Sequence, residues 1–467
     1  MALSLMNRLK QTVIGDRAFY RTVAKLIVPI IVQMFVTNFV NLLDNIMVGQ
    51  LGTAELSGVA IGNQLIFVYN LCIFGGLSGP GIFGAQFFGA GDLEGVRNSF
   101  RMKLWVLMGL LALFFTVFGG WGRDLVSLYL TGDGDPQVAH RMLEHGLDYL
   151  HIMMIGFLPF ALTTAYAGTL RETGETLVPM RAGIAAVLTN LVGNWLLIYG
   201  NLGFPMLGVK GAAIATVFSR FVELAIIARA MHGSSGRFEF MHGVYRTLKV
   251  PLRLAKNVFK KGAPLLVNEF LWSMGMATLN QIYSLRGLDV LAGMNIANTV
   301  NSMFNLFFIS MGSAIATMIG QHLGANRMVE ARRDVWRLIF FSASCCVVIG
   351  GIMVVASPYF PLLYNTTDHV RHLATRFMLV MALFMPMYST SHACYFTLRS
   401  GGATVLTFLF DSGYMWAINI PLALALTHWT DIPIIWLYPL CEAAGIIKMS
   451  IGLTIVRRGR WIKNIVH

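Results

Sequence analysis

Asn45-Ile-Met-Val-Gly-Gln-Leu-Gly52 lies over Asn280-Gln-Ile-Tyr-Ser-Leu-Arg-Gly287 when the chain is laid on itself at an offset of 235 residues. At the same offset Gln86-Phe-Phe-Gly-Ala90 lies over Gln321-His-Leu-Gly-Ala325, and Pro29 falls on Pro264. From Asn45 to Arg97, 13 of 53 positions are identical, where ordinary residue usage gives about four by chance. The chain is therefore read as two copies of one unit.

The medium of that unit follows from composition. Hydrophobic residues make up 56% of the 467 and charged residues 12%, against roughly 25% charged in a soluble globular protein. Twelve apolar stretches each reach the ~20 residues needed to cross a bilayer as a helix, near 24–50, 57–84, 100–120, 147–168, 182–200, 211–231, 262–285, 291–319, 335–357, 373–397, 406–427 and 432–456. The expected fold is all-α, with twelve transmembrane helices in two six-helix lobes. Six spans per copy return each lobe to the side it started from, so the lobes should be related by an axis along the membrane normal, with a path between them near the midplane. The expected divisions are an interfacial helix at 1–23, an N-lobe at 24–231, a basic linker at 232–261, a C-lobe at 262–456 and a basic tail at 457–467.

A net charge of +13 raises the question of nucleic acid, and the placement of the charge answers it. Of the 35 lysines and arginines, 27 fall at the termini and in alternate connections, eight of them around the central linker. That asymmetry puts both termini in the cytoplasm, with the basic face meeting anionic lipid rather than nucleic acid. The protein is expected in a cell (inner) membrane, as a monomer. Cys72, Cys345, Cys346, Cys394 and Cys441 lie in apolar spans without metal-ligand spacing and read as small core residues. No GxxxxGK[ST] phosphate loop occurs, so transport would have to draw on an ion gradient or the substrate's own gradient. A membrane enzyme would need a constellation such as His-Glu-x-x-His; His151 and His392 stand alone, and neither an enzyme nor a cofactor is expected.

Carboxylates in hydrocarbon cost roughly 2.5 to 3.5 kcal/mol each on insertion scales and need a reason to be there. Asp44 sits in the outer half of span 1, and Thr37, Asn41 and Asp44 share a face at i+4 and i+3 spacing, widened by Asn38 and Asn45. Asn190 and Asn194 are one turn apart on span 5, and Thr216 follows Gly211-Ala-Ala on span 6. Together these offer an oxygen-rich cation site; Asn190 and Asn194 also suit plain interhelical hydrogen bonds. Glu269 lies about seven residues into span 7, beside Asn268 and one turn before Trp272 and Ser273. Glu442 is mid-span in helix 12 with Lys448 too far along to face it. Glu223 reads as a local partner of Arg220, and Asp411 as a cap opening span 11. A lining drawn from 27 Met and 32 Phe would suit flat apolar cations without requiring one geometry.

Val40-Asn-Leu-Leu-Asp44-Asn-Ile-Met-Val-Gly49-Gln-Leu-Gly52, Gln86-Phe-Phe-Gly89-Ala90, and Asn194 followed by Gly208-Val-Lys-Gly211-Ala-Ala-Ile-Ala-Thr216 resemble the multidrug and toxic compound extrusion (MATE) transporters. Gly262-Ala-Pro264 and Gly320-Gln321-His-Leu-Gly324-Ala325 fit as well, so the resemblance covers essentially the whole chain. It implies a V-shaped pair of lobes and efflux of organic cationic drugs or dyes in exchange for H⁺ or Na⁺ by alternating access. Asp44 matches the family's span 1 acid, and Asn190 and Asn194 its two polar positions on span 5. In one branch the second of these is an Asp, and Asn194 lowers the charge there. The C-lobe acid of another branch falls at Trp272 here, one turn beyond Glu269. The implied coupling residues are Asp44, Asn190, Asn194, Thr216 and Glu269, with Na⁺ at Asp44, Asn190 and Asn194 if sodium is the ion. Thr37, Asn38, Asn41, Trp272 and Ser273 are the expected substrate contacts. A lipid or lipid-linked oligosaccharide flippase is the alternative within the superfamily, and it would want a strongly basic cavity.

Overall fold

A computed structural model describes residues 13–130, 136–233, 237–364 and 366–466. They are helical almost throughout, with no strand among the described residues, as hydrocarbon demands of a chain whose backbone groups must pair within each span. In order, the helices are α1 (Arg17–Gly49), α2 (Thr53–Ala90), α3 (Leu93–Ser127), α4 (Pro136–Ile155), α5 (Phe157–Glu172), α6 (Leu177–Tyr199) and α7 (Val209–His232). The second half follows with α8 (Leu252–Ser284), α9 (Leu288–Gly324), α10 (Met328–Ala356), α11 (Asp368–Ser400), α12 (Thr404–Phe408), α13 (Ile420–Trp429), α14 (Ile434–Ala443) and α15 (Gly445–Arg458).

Among the described residues ten helices are long and apolar enough to cross a membrane, and α4 with α5 makes an eleventh as a span bent by 49°. The twelfth position is α8, long enough at 33 residues but diluted by Asn268, Glu269, Asn280 and Gln281. Several helices outrun the expected spans: α3 begins at Leu93 and ends at Ser127, and α11 reaches Ser400. Apolar stretches mark the hydrocarbon, whereas helices continue into the interfaces. Of the interfacial helix expected at 1–23, Met1 to Thr12 lies outside the described residues, and from Arg17 onward the chain already belongs to α1.

The bend between α4 and α5 has a local cause. Pro159 has no N–H to give the Ile155 carbonyl, and at Gly156 a side chain would press on Met153 and Val217. Span 11 is irregular in another way: between α12 and α13, Leu409–Gly413 and Met415–Asn419 form π-helical turns, a geometry frequent at functional sites.

Two compact units divide the chain: 29–84 with 93–258, and 1–28 with 85–92 and 259–467. Within the first, the central linker is strapped to α3. Arg97 donates to the carbonyls of Phe240 (3.1 Å) and Glu239 (3.0 Å), Arg101 to Val244 (2.9 Å) and Trp105 to Leu248 (2.9 Å). The four-residue spacing places all three side chains on one helix face. Within the second unit, the repeated segments that revealed the duplication meet each other. A Cβ on Gly89 would overlap the Gln321 carbonyl, and a Cβ on Gly324 would overlap that of Gln86. The Gln86 amide is anchored by the carbonyls of Ser400 (3.0 Å) and Lys463 (3.2 Å) and by the Ile465 N–H (2.9 Å).

Candidate functional site

In the N-lobe, α1 brings Asp44, α6 brings Asn190 and Asn194, and α7 brings Thr216. Small residues let α6 and α7 approach closely: a Cβ on Gly193 would lie 2.9 Å from that of Ala215, and Gly211 sits directly on the Leu197 carbonyl. This is the small-residue packing expected between membrane helices. The Asn194 amide nitrogen donates to Asp44 Oδ1 at 2.6 Å. With its own amide nitrogen facing the carboxylate, Asn190 donates to both Asp44 oxygens at 2.9 and 3.1 Å and accepts from the Thr216 hydroxyl at 3.1 Å; the reverse orientation donates to Thr216 instead. Either way Asn190 and Asn194 are buried, the latter 1% exposed.

Arg220, four residues beyond Thr216 on α7, acts on Asp44 electrostatically. Its direct partner is Glu223 at 3.3 Å, and its guanidinium lies over the Phe160 ring. Thr37 spends its hydroxyl on the Gln33 carbonyl, while Asn38 and Asn41 are exposed along α1. Of the expected N-lobe residues, then, Asp44, Asn190, Asn194 and Thr216 converge, and Thr37, Asn38 and Asn41 lie earlier on α1.

Glu269, Trp272 and Ser273 belong to the other unit, where Glu269 forms part of a different arrangement. Glu269 accepts from the Tyr395 hydroxyl at 3.0 Å, with Arg399 and Asp411 within electrostatic reach. Asp411 is not a cap at the start of span 11. It lies inside the π-helical turn Leu409–Gly413, where Lys448 reaches it at 2.6 Å and Asn268 donates to it at 3.0 Å. The turn exposes the Ser412 N–H and hydroxyl to the Asn268 side-chain oxygen at 3.2 and 2.8 Å, so a neighbour of Glu269 holds the distorted segment. Trp272 is 36% exposed.

Sequence reading missed further charge. Lys103, near the start of the span expected at 100–120 but counted with the connection before it, lies within α3 at 1% exposure, donating at 2.7 Å to both Glu172 oxygens and to the Thr169 hydroxyl. Arg399, assigned to a connection, is buried in α11; only the full length of that helix brings it inside.

These features define a class: a two-lobed helical membrane transporter with ionisable groups in each lobe. The MatE family model matches residues 29–196 and 264–425, one match in each half, and the chain belongs to that family. A probable multidrug resistance protein of Bacillus subtilis, YoeA, is 24% identical over 442 residues, covering 92% of each chain. A probable multidrug resistance protein NorM of Thermotoga maritima is 22% identical over 454 residues, covering 95% of this chain and 93% of its own. An outward-facing multidrug resistance MATE transporter of the MOP superfamily superposes with a TM-score of 0.83 at 18% identity, over 96% of this chain and 97% of the other. The Vibrio cholerae MATE transporter VcmN superposes with a TM-score of 0.82 at 16% identity, over 95% and 98%. The two-lobe MATE fold and a multi-pass membrane transporter follow.

Proposed function

We propose that this chain is a secondary active multidrug efflux transporter that exchanges organic cationic drugs for protons by alternating access, with Asp44 as the coupling group. The observation that carries the reading is the Asp44 site itself: one carboxylate, held by amide N–H groups from Asn194 and Asn190 and under the field of Arg220. The amide hydrogens satisfy the ionised carboxylate, and turning one amide would present its oxygen to a proton carried on Asp44, so the same residues serve both states; a metal ion would need the amide oxygens turned inward. Sodium is the second reading, because the Asn194 Oδ1 atom has no hydrogen-bond partner and lies beside the same carboxylate.

Both termini are assigned to the cytoplasm and the protein to the inner membrane from the distribution of basic residues. A potential of 100 mV adds about 2.3 kcal/mol for each net charge moved inward; it assists export of a neutral drug, whereas one-for-one exchange of a monovalent cation for a proton is electroneutral and draws on the proton gradient. The reading assigns function to a monomer in contact with lipid. A flippase is not favoured: Lys103, Arg220 and Lys448, basic residues within the helices, are each paired with a carboxylate, so they leave no unneutralised basic cavity of their own making.

The test uses purified protein in liposomes loaded with a fluorescent cationic dye. Efflux driven by an imposed pH gradient and lost in Asp44→Asn is the expected result. Efflux driven only by a sodium gradient selects the second reading, and full proton-driven efflux by Asp44→Asn rules out the role given to Asp44.

A further inference from the structure

Glu442 stands apart from both arrangements above. It accepts a hydrogen bond from the Tyr388 hydroxyl of α11, and Tyr438, one turn earlier on its own helix, lies within electrostatic reach. Tyr283 of α8 and Tyr414 of span 11 lie within electrostatic reach, and Cys441 is its neighbour in the chain. These five groups are the titratable side chains that face it, from four different spans. None is a cation: Lys448, six residues on, is bound to Asp411 and approaches this group at the Tyr414 ring, 5.8 Å from its centroid.

An ionised carboxylate with only phenols around it would be an uncompensated buried charge, whereas a carboxyl that carries a proton is satisfied by the same hydroxyls. Its surroundings are apolar: Tyr283, Leu437, Tyr438 and Cys441 belong to one buried core cluster with Phe377 and Met385. The residue itself is partly buried.

Span 12 runs from Ile434 to Arg458 as one helix, with a single irregular residue, Ala444, just past Glu442. Pro439 removes an N–H three residues before Glu442. The Tyr414 hydroxyl is buried and has no hydrogen-bond partner, a free acceptor within the same cluster.

We propose that Glu442 is a proton-binding site of the C-lobe, formed with Tyr388 and Tyr438 in the apolar core between spans 10 and 12 and separate from the Glu269–Asp411–Lys448 group. Loading and release involve only proton exchange between the carboxyl and water: the carboxylate takes H⁺ from hydronium and returns it to water. This deepens the antiport reading but does not need it in order to be tested.

The experiment is infrared difference spectroscopy of the full-length protein in lipid while pH is cycled, with dye efflux measured on the same samples. The wild type is expected to show a protonated-carboxyl carbonyl band that disappears in Glu442→Gln and shifts in Tyr388→Phe, which removes one donor and keeps the ring. An unchanged band in both variants overturns the proposal, even if dye efflux is normal. A band that responds as expected in a protein that moves no dye upholds the proton site and defeats the antiport reading instead. Because Gln preserves the size and hydrogen-bonding reach of Glu, and Phe preserves the packing of Tyr, loss of fold is separable by monodisperse elution of each variant.

Discussion

In the N-lobe one carboxylate, Asp44, meets two amides and feels Arg220 only at a distance, whereas in the C-lobe Asp411 is held by Lys448 at 2.6 Å and Glu269 shares its surroundings with Arg399. Neutral donors can follow a carboxylate through either protonation state by rotating an amide. An ammonium cannot, because a carboxyl that takes up a proton leaves Lys448 as a lone charge away from water. The contrast teaches that abundance of charge is a poor guide to exchange. The sparser site is the one free to change state.

The strongest way to break this contrast is Asp44→Asn, expected to bring proton-driven dye efflux down to the level of empty liposomes while the purified protein still elutes as folded. Normal efflux would remove the functional half of the comparison. Next comes Lys448→Met. Severing a buried ion pair costs about 3 to 5 kcal/mol, so thermal unfolding in detergent should fall sharply, and the double variant Lys448→Met with Asp411→Asn should recover most of the loss. If the double variant is as unstable as the single one, the pair is not what holds span 11 to span 12.

Smaller effects sharpen the distinction. Asn194→Asp adds a second carboxylate beside Asp44, and with it a sodium gradient is expected to begin driving dye efflux that it does not drive in the parent. An absent sodium response would show that oxygen number alone does not set the ion. Thr216→Val removes the hydroxyl that meets Asn190 at 3.1 Å and should cost about 0.6 kcal/mol, the usual worth of an interhelical hydrogen bond in a membrane. A loss several times larger would mean that Thr216 orders the Asn190 amide toward Asp44.

The fold was legible because hydrocarbon leaves few options: ~20 apolar residues make a span, and thirteen identities between Asn45 and Arg97 and their counterparts make the duplication visible. Asp44, Asn190 and Asn194 were legible for a similar reason, since polar groups at helical spacing in apolar segments stand out. Asp411 with Lys448 was not. The two lie 37 residues apart on different helices, and their meeting depends on a π-helical turn that no apolar pattern announces. Lys103 escaped because its partner Glu172 lies 69 residues on, beyond the reach of any local pattern. Glu442 was visible as a mid-span acid, yet its phenol partner Tyr388 lies 54 residues earlier, so the sequence held the group without its surroundings.

The mutual seating of Gly89 on Gln321 and of Gly324 on Gln86 has a consequence for how such a chain can change. Each copy of the repeated motif is the mould for the other, so a methyl group added to either glycine would have to displace main chain rather than a pliable side chain. Divergence between the halves is thereby blocked at one crossing and left open elsewhere. A duplicated protein of this design can alter the chemistry of each half independently, as Asp44 and Glu269 illustrate, while the place where the halves read each other must remain a palindrome.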